Sequence, residues 1–188
     1  MIYTAIVGSI DPDRSDIKCF RDPTWFLSQR MAARQYKIMS HLWIIEDVSI
    51  WVDGNIKVKA PADELLQVFI SGDVEVGCFA HPYRKNPVEE IEECIAVEKE
   101  RRWRLDAFTR HYGVEQLVQY PLYETGVLIR RHAPNVRRMN ALWWESCTRW
   151  TQRDQITFPL AVKESGVKIL AIDGNVRNHP MFEYSTHE

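Results

Sequence analysis

The chain has 188 residues, enough for one domain to bury a sizeable core without a disulfide or structural metal, and a single domain over 1–188 is expected. Apolar residues make up 45% and charged residues 27%, which excludes a disordered or fibrous class. A net charge of -2 supplies no overall basic field for nucleic acid or an anionic membrane, and no apolar run approaches the roughly 20 residues of a spanning helix.

The N-terminal MIYTAIVGSID has neither the basic nor the long apolar region of a secretory leader. Cys19, Cys78, Cys94 and Cys147 are dispersed, with no C-x-x-C pair, so reduced thiols and a cytoplasmic location are expected. Runs rich in β-formers predict strands at 2–7, 17–20, 48–52, 74–80, 126–129 and 167–172. Helical spacing separates them, with short helices expected at 62–70 and 153–163. The clearest helix is expected over 87–112: Asn86 suits the N-cap, Pro87 the first turn, Glu89 a capping box and Gly113 the stop. Its central EKERRWR reads as a solvated face. A further helix is expected over 141–150, where Trp143, Cys147 and Trp150 share a face and Trp144 points about a hundred degrees away. Strands alternating with helices predict an α/β sandwich around a mainly parallel sheet, which binds ligands beyond the carboxyl ends of its strands.

One such end is VDGNIKV, residues 52–58. Asp-Gly between alternating runs is a hairpin signal. Asp53 and Asn55 are equally the oxygen donors that a hard cation such as magnesium or manganese takes, with Gly54 admitting a diphosphate close to the backbone.

Nine stretches in order carry a wider likeness: IYTAIVGSID (2–11), IKCFRD (17–22), ARQYKIMSHL (33–42), SIWVDGNI (49–56), HPYR (81–84), ETGVLIRRH (124–132), WWES (143–146), RDQITF (153–158) and VRNHP (176–180). With them the chain resembles a family of glycosyltransferase-like proteins, formerly a domain of unknown function, whose plant members include a Golgi hexosyltransferase of seed mucilage. The resemblance implies a GT-A-like nucleotide-sandwich fold that binds a nucleotide sugar, UDP- or GDP-linked, with Mn2+ or Mg2+ on a D-x-D motif. Asp53-Gly54-Asn55 keeps only the first acid of that motif, so His179, or else His81, is the expected further ligand.

The resemblance also implies that backbone at Ala5, Ile6, Val7 and Gly8, with the Asp11 carboxylate, meets the nucleoside. Arg34 and Lys37 are expected to pair with the pyrophosphate. Arg84, Arg130, Arg131 and Gln155 are further donor contacts, and Trp144 stacks on a sugar or base or is buried under the next loop. Asp154, with Glu124 and Glu145 behind it, is the expected sugar or acceptor contact and candidate base, although an Asp there also suits a helix cap. The function implied is metal-assisted transfer of a hexose or pentose to a hydroxyl of a saccharide, a lipid-linked sugar or a modified DNA base. The Arg130-Arg131 and Arg137-Arg138 clusters are the only hint of a nucleic acid acceptor. Two alternatives stand beside it: a nucleotide- or sugar-binding module without transfer, and a hydrolase with a metal on Asp53, His81 and His179.

Overall fold

A computed structural model describes residues 1–8, 14–21 and 28–186. Its central sheet comprises β1 (Ile2–Ala5), β2 (Lys18–Phe20), β3 (Val48–Val52), β5 (Val76–Ala80), β6 (Tyr123–Arg131) and β7 (Ile169–Ile172) in the order β2-β1-β3-β6-β5-β7. Only β6 runs against the rest, so the sheet is mainly parallel, as expected. A second, two-stranded sheet pairs β4 (Ile56–Val58) with β8 (Phe182–Tyr184). The helices are α1 (Gln29–Ile38), α2 (Ala62–Phe69), α3 (Pro87–Ala96), α4 (Arg102–Tyr112), α5 (Val114–Leu117), α6 (Pro134–Arg149) and α7 (Asp154–Ser165). None of them is long and apolar enough to cross a membrane.

Alternation along the strands sends side chains to two cores. Tyr3, Trp51, Cys78 and Leu128 face α1, α6 and α7, where they meet Met31, Met139, Trp143 and Phe158. Ile50, Val52, Phe79, Val127 and Ile129 face α2 and β8, against Leu65, Phe69 and Phe182. Burying such a side chain contributes roughly 1.5–3 kcal/mol. The sheet is covered on both faces, which is why β6 is buried from Tyr123 to Arg130.

The 87–112 helix is two helices. Asn86 caps α3 through the Glu89 N–H, and Pro87 sits in its first turn. Glu89 reaches past the cap to the Lys85 N–H at 2.7 Å. The chain breaks at 97–101, where Glu98 takes a φ of 53°. Glu100 then accepts hydrogen bonds from Thr151 Oγ1 (3.1 Å) and the Gln152 N–H (2.9 Å), so this part of EKERRWR is tied to the segment before α7.

VDGN is not a β3–β4 hairpin. The Ile56 N–H bonds the Asp53 carbonyl at 2.9 Å, a tight turn, but Gly54 stays out of the left-handed region and β4 leaves to pair with β8.

Behind the sheet His132 Nε2 lies 2.9 Å from Ser49 Oγ and 3.4 Å from Ser40 Oγ. Burial, then the nearby Arg130 charge, pushes the His132 pKa down from 6.5 to about 4. The unfolded chain therefore takes up the proton first, and stability present above pH 6.5 is lost as pH falls towards 4. Urea unfolding of the wild type and of His132→Asn at stepped pH is expected to show a shallower decline across that window in the variant.

Candidate functional site

A cleft of about 830 Å³, the size of a small-molecule site, opens where the carboxyl ends of β1, β3 and β5 meet the start of β6. Its lining includes Ala5, Ile6 and Val7 after β1, the Asp53–Ile56 turn, His81, Arg84, Glu124, Thr125, Gly126, Asp154 and Gln155. Arg30, Arg34 and Lys37 enter from one stripe of α1, whose N-terminus is capped by Ser28 Oγ on the Met31 N–H. Lining basic groups (Arg30, Arg34, Lys37, Arg84, Lys99, Arg153, Arg177) number seven against four acids (Asp53, Glu90, Glu124, Asp154). The cleft is thus positive although the chain is slightly acidic.

Lys37 is at the centre. Its ammonium lies 2.7 Å from Asp154 Oδ2, 3.1 Å from Thr125 Oγ1 and 3.3 Å from Asp53 Oδ1, one acceptor for each of its three protons. With all three engaged, it holds the two carboxylates and is not a free hand for pyrophosphate. Arg34 grips Asp154 Oδ1 through Nε (3.2 Å) and Nη2 (3.0 Å), and Thr125 donates to Asp154 Oδ2 at 3.1 Å. Burial alone would raise the Asp154 pKa, but Lys37 and then Arg34 more than reverse this and hold the carboxyl far below its usual range. Asp154 is the first residue of α7, with Arg153 at the N-cap, so its side chain serves this network rather than a cap. So strongly held a carboxylate does not readily take up a proton, which sets Asp154 to holding Lys37 and Arg34 in this conformation.

Asp53 also accepts from Trp51 Nε1 at 2.8 Å, and its side chain remains 43% exposed. Gly126 has no side chain just where a Cβ would come within 3.4 Å of Asp53 Oδ2. That open flank fits a divalent cation on Oδ2. Asn55 donates through Nδ2 to the Ser185 carbonyl at 3.0 Å, so its Oδ1 is the atom that would face a cation. No group of three or more His, Cys, Asp or Glu suited to a metal occurs among the described residues. His179 is outside the cleft lining; its ring packs on Phe79 and Phe182 at centroid distances of 5.1 and 5.7 Å.

His81 Nδ1 accepts from the N–H groups of Tyr83 (3.3 Å) and Arg84 (3.0 Å), and Arg84 Nε bonds Glu90 Oε2 at 2.5 Å. Burial, then Arg84, lowers the His81 pKa to about 4, so the ring is neutral and keeps its acceptor. Arg30 carries a pKa lowered by burial and by its neighbours Arg34 and Arg153, and Arg153 Nε is buried without a partner. Arg153 Nη2 reaches Glu90 Oε1 only at 4.0 Å, so cations crowd this corner.

Several expected residues lie elsewhere. Arg130 has 0% exposure; Nη2 donates to the Tyr3 hydroxyl and the Lys37 carbonyl, both at 2.7 Å, so it caps the last turn of α1. Arg131 donates to the carbonyls of Ile70 (2.7 Å) and Val74 (3.2 Å), beyond α2. Glu145 is exposed on α6 and Trp144 packs against the sheet core, neither lining the cleft. Gly8 is close to the Gln29 side chain but outside the lining, and Asp11 lies outside the described residues. Sequence reasoning missed Thr125, Arg153 and Arg177, although the ETG, RDQ and VRNHP stretches contained them.

Replacing Asp154 by Asn leaves Lys37 and Arg34 buried without their shared anion. A loss of about 3–5 kcal/mol in denaturant unfolding is expected, little changed by added salt because the pair is shielded from water.

The profile of the TOD1/MUCI70 glycosyltransferase-like domain matches residues 21–184. No curated protein matches the chain. Among solved structures, apo mouse xyloside xylosyltransferase 1 is similar at 15% identity and a TM-score of 0.44, over 74% of this chain and 50% of that one. The chain therefore spans half the length of that protein. The match over 21–184, together with a polar cleft at the strand ends of a mainly parallel sheet, places the chain in the TOD1/MUCI70 glycosyltransferase-like family.

Proposed function

We propose that the cleft binds a nucleotide sugar, UDP- or GDP-linked, and transfers its sugar to an acceptor hydroxyl. The reading rests above all on Lys37, which draws Asp53 and Asp154 together beside the open flank at Gly126. The backbone after β1 takes the nucleoside. The positive corner of Arg30, Arg34 and Arg153 takes the diphosphate, with Arg153 Nε buried and without a partner. Asp53 Oδ2 and Asn55 hold Mn2+ or Mg2+, which when bound supplies Lewis-acid stabilisation of the diphosphate leaving group. Thr125, Gly126 and Gln155 then face the sugar. Hexose and pentose donors fit this reading alike.

Glu124 replaces Asp154 as the carboxylate nearest to free reactivity. It is 8% exposed, Arg177 Nη1 reaches its Oε1 at 3.3 Å, and Oε2 has no partner. Burial raises its pKa, and Arg177 opposes this. The four free cysteines suit a reducing compartment such as the cytoplasm. A saccharide acceptor is favoured over DNA, because Arg130 is buried and Arg131 is turned to carbonyls beyond α2.

Calorimetric titration of UDP and GDP, with and without Mn2+, tests the reading on the wild type and Asp53→Ala. Metal-dependent binding that Asp53→Ala abolishes is expected, as is release of nucleoside diphosphate from a matching nucleotide sugar. Binding without release would leave a binding module, and no binding under any condition would refute the assignment.

A further inference from the structure

Glu124 Oε2 is the starting point, because a buried carboxylate oxygen without a donor is costly and native structures seldom leave one so. A register slip puts it there. Gly77 of β5 faces Ile129 of β6, yet Phe79 faces Glu124, so β6 bulges between them and both Glu124 and Thr125 reach the cleft. Thr125 joins the Lys37 network, whereas Glu124 points to a different set of groups.

The group that meets Glu124 is Arg177, which Tyr184 and Tyr83 flank. The Arg177 guanidinium lies 4.7 Å from the centroid of the Tyr184 ring and 6.0 Å from that of Tyr83. Tyr184 lines the cleft and pairs with Ile56, next to the Asp53 turn. Tyr83 is not itself in the lining but lies between His81 and Arg84, which are; it is 66% exposed, on the turn that His81 Nδ1 holds, and its hydroxyl accepts from Asn175 Nδ2 at 2.8 Å. A large exposed ring fixed at both ends is a prepared contact surface.

We propose that Glu124, Arg177, Tyr184 and Tyr83 form the acceptor subsite, and that it takes a pyranose ring, stacked by its C–H face on tyrosine with a hydroxyl donating to Glu124 Oε2. The proposal rests on the transfer reading and extends it to the acceptor class. An ionised carboxylate only accepts hydrogen bonds, so its partner must bring donors; a hydroxyl does and a phosphodiester does not. Glu124 lines the same cleft as Asp53 and Lys37, so a hydroxyl bound to it is held beside the donor sugar rather than at a remote patch. Oε2 is closed to solvent in this conformation. Arg177, 39% exposed and holding Oε1 by one 3.3 Å bond, is the group that swings aside to admit the ring.

Saturation-transfer NMR of the methyl pyranosides of glucose, galactose and xylose, with UDP or GDP present, tests the subsite on the wild type, Tyr83→Ala and Glu124→Gln. Saturation of ring C–H protons in the wild type is expected. Binding should weaken about fivefold to tenfold in each variant, the loss of an aromatic contact or a charge-assisted hydrogen bond, while nucleotide titration stays unchanged and reports an intact fold. If nucleotide fails to bind but pyranosides bind and are lost in the variants, the subsite stands and the transferase reading falls. Nucleotide binding with no pyranoside signal overturns the subsite alone. So does a pyranoside signal undiminished in both variants, or a single-stranded oligonucleotide that binds at the Tyr83 rim in place of the sugars.

Discussion

A buried ammonium with three oxygen partners holds this cleft together. Lys37 is 5% exposed, and removing such a charge from water costs several kcal/mol unless its partners are well placed. They come from three places: Asp53 at the end of β3, Thr125 in β6 and Asp154 at the start of α7. One side chain of α1 thus ties the middle of the sheet to a helix packed beneath it. Arg130 fixes the other end of the arrangement by bonding the Lys37 carbonyl, so that α1 is held by its backbone as well as its side chain.

This bridge divides the acidic groups by task. Asp154 is saturated by Lys37, Arg34 and Thr125, and its charge is spent on holding cations in place. Asp53 shares one oxygen with Lys37 and Trp51 and keeps the flank at Gly126 open. Glu124, which Lys37 does not bond, keeps an oxygen without a partner. On the other wall Arg30, Arg34 and Arg153 crowd together and Arg153 Nε has no partner, which suits a diphosphate better than a neutral ligand. Under the proposed transferase reading these groups would take the nucleoside after β1, the phosphates at Arg30 and Arg34, the sugar at Asp53 and the acceptor at Glu124.

Much of the frame was legible because it depends on local periodicity. The strand at 48–52 has the expected bounds, as β3 is apolar on both faces and ends in Asp-Gly. The Asn86 cap and the Pro87 start of α3 follow from local chemistry. The break at 97–101 was not legible, since Glu100 finds its partners at Thr151 and Gln152, far along the chain. Arg130 and Arg131 looked equivalent in sequence, but alternation along β6 turns one into the core and the other towards α2. The same limit applies to Asp154: its position was visible in RDQITF, while its ion pairs depend on two cations from α1. Arg177 lay in the VRNHP stretch, but its role was hidden because it depends on the bulge that presents Glu124.

The most direct test of this arrangement is a double-mutant cycle on unfolding free energy, with Lys37→Met, Asp154→Asn and the pair. If Lys37 and Asp154 act as one bridge, the double variant will lose less than the two single losses combined, with a coupling of about 2 kcal/mol. Losses that simply add would contradict a bridging Lys37, and with it the division of roles among Asp53, Asp154 and Glu124.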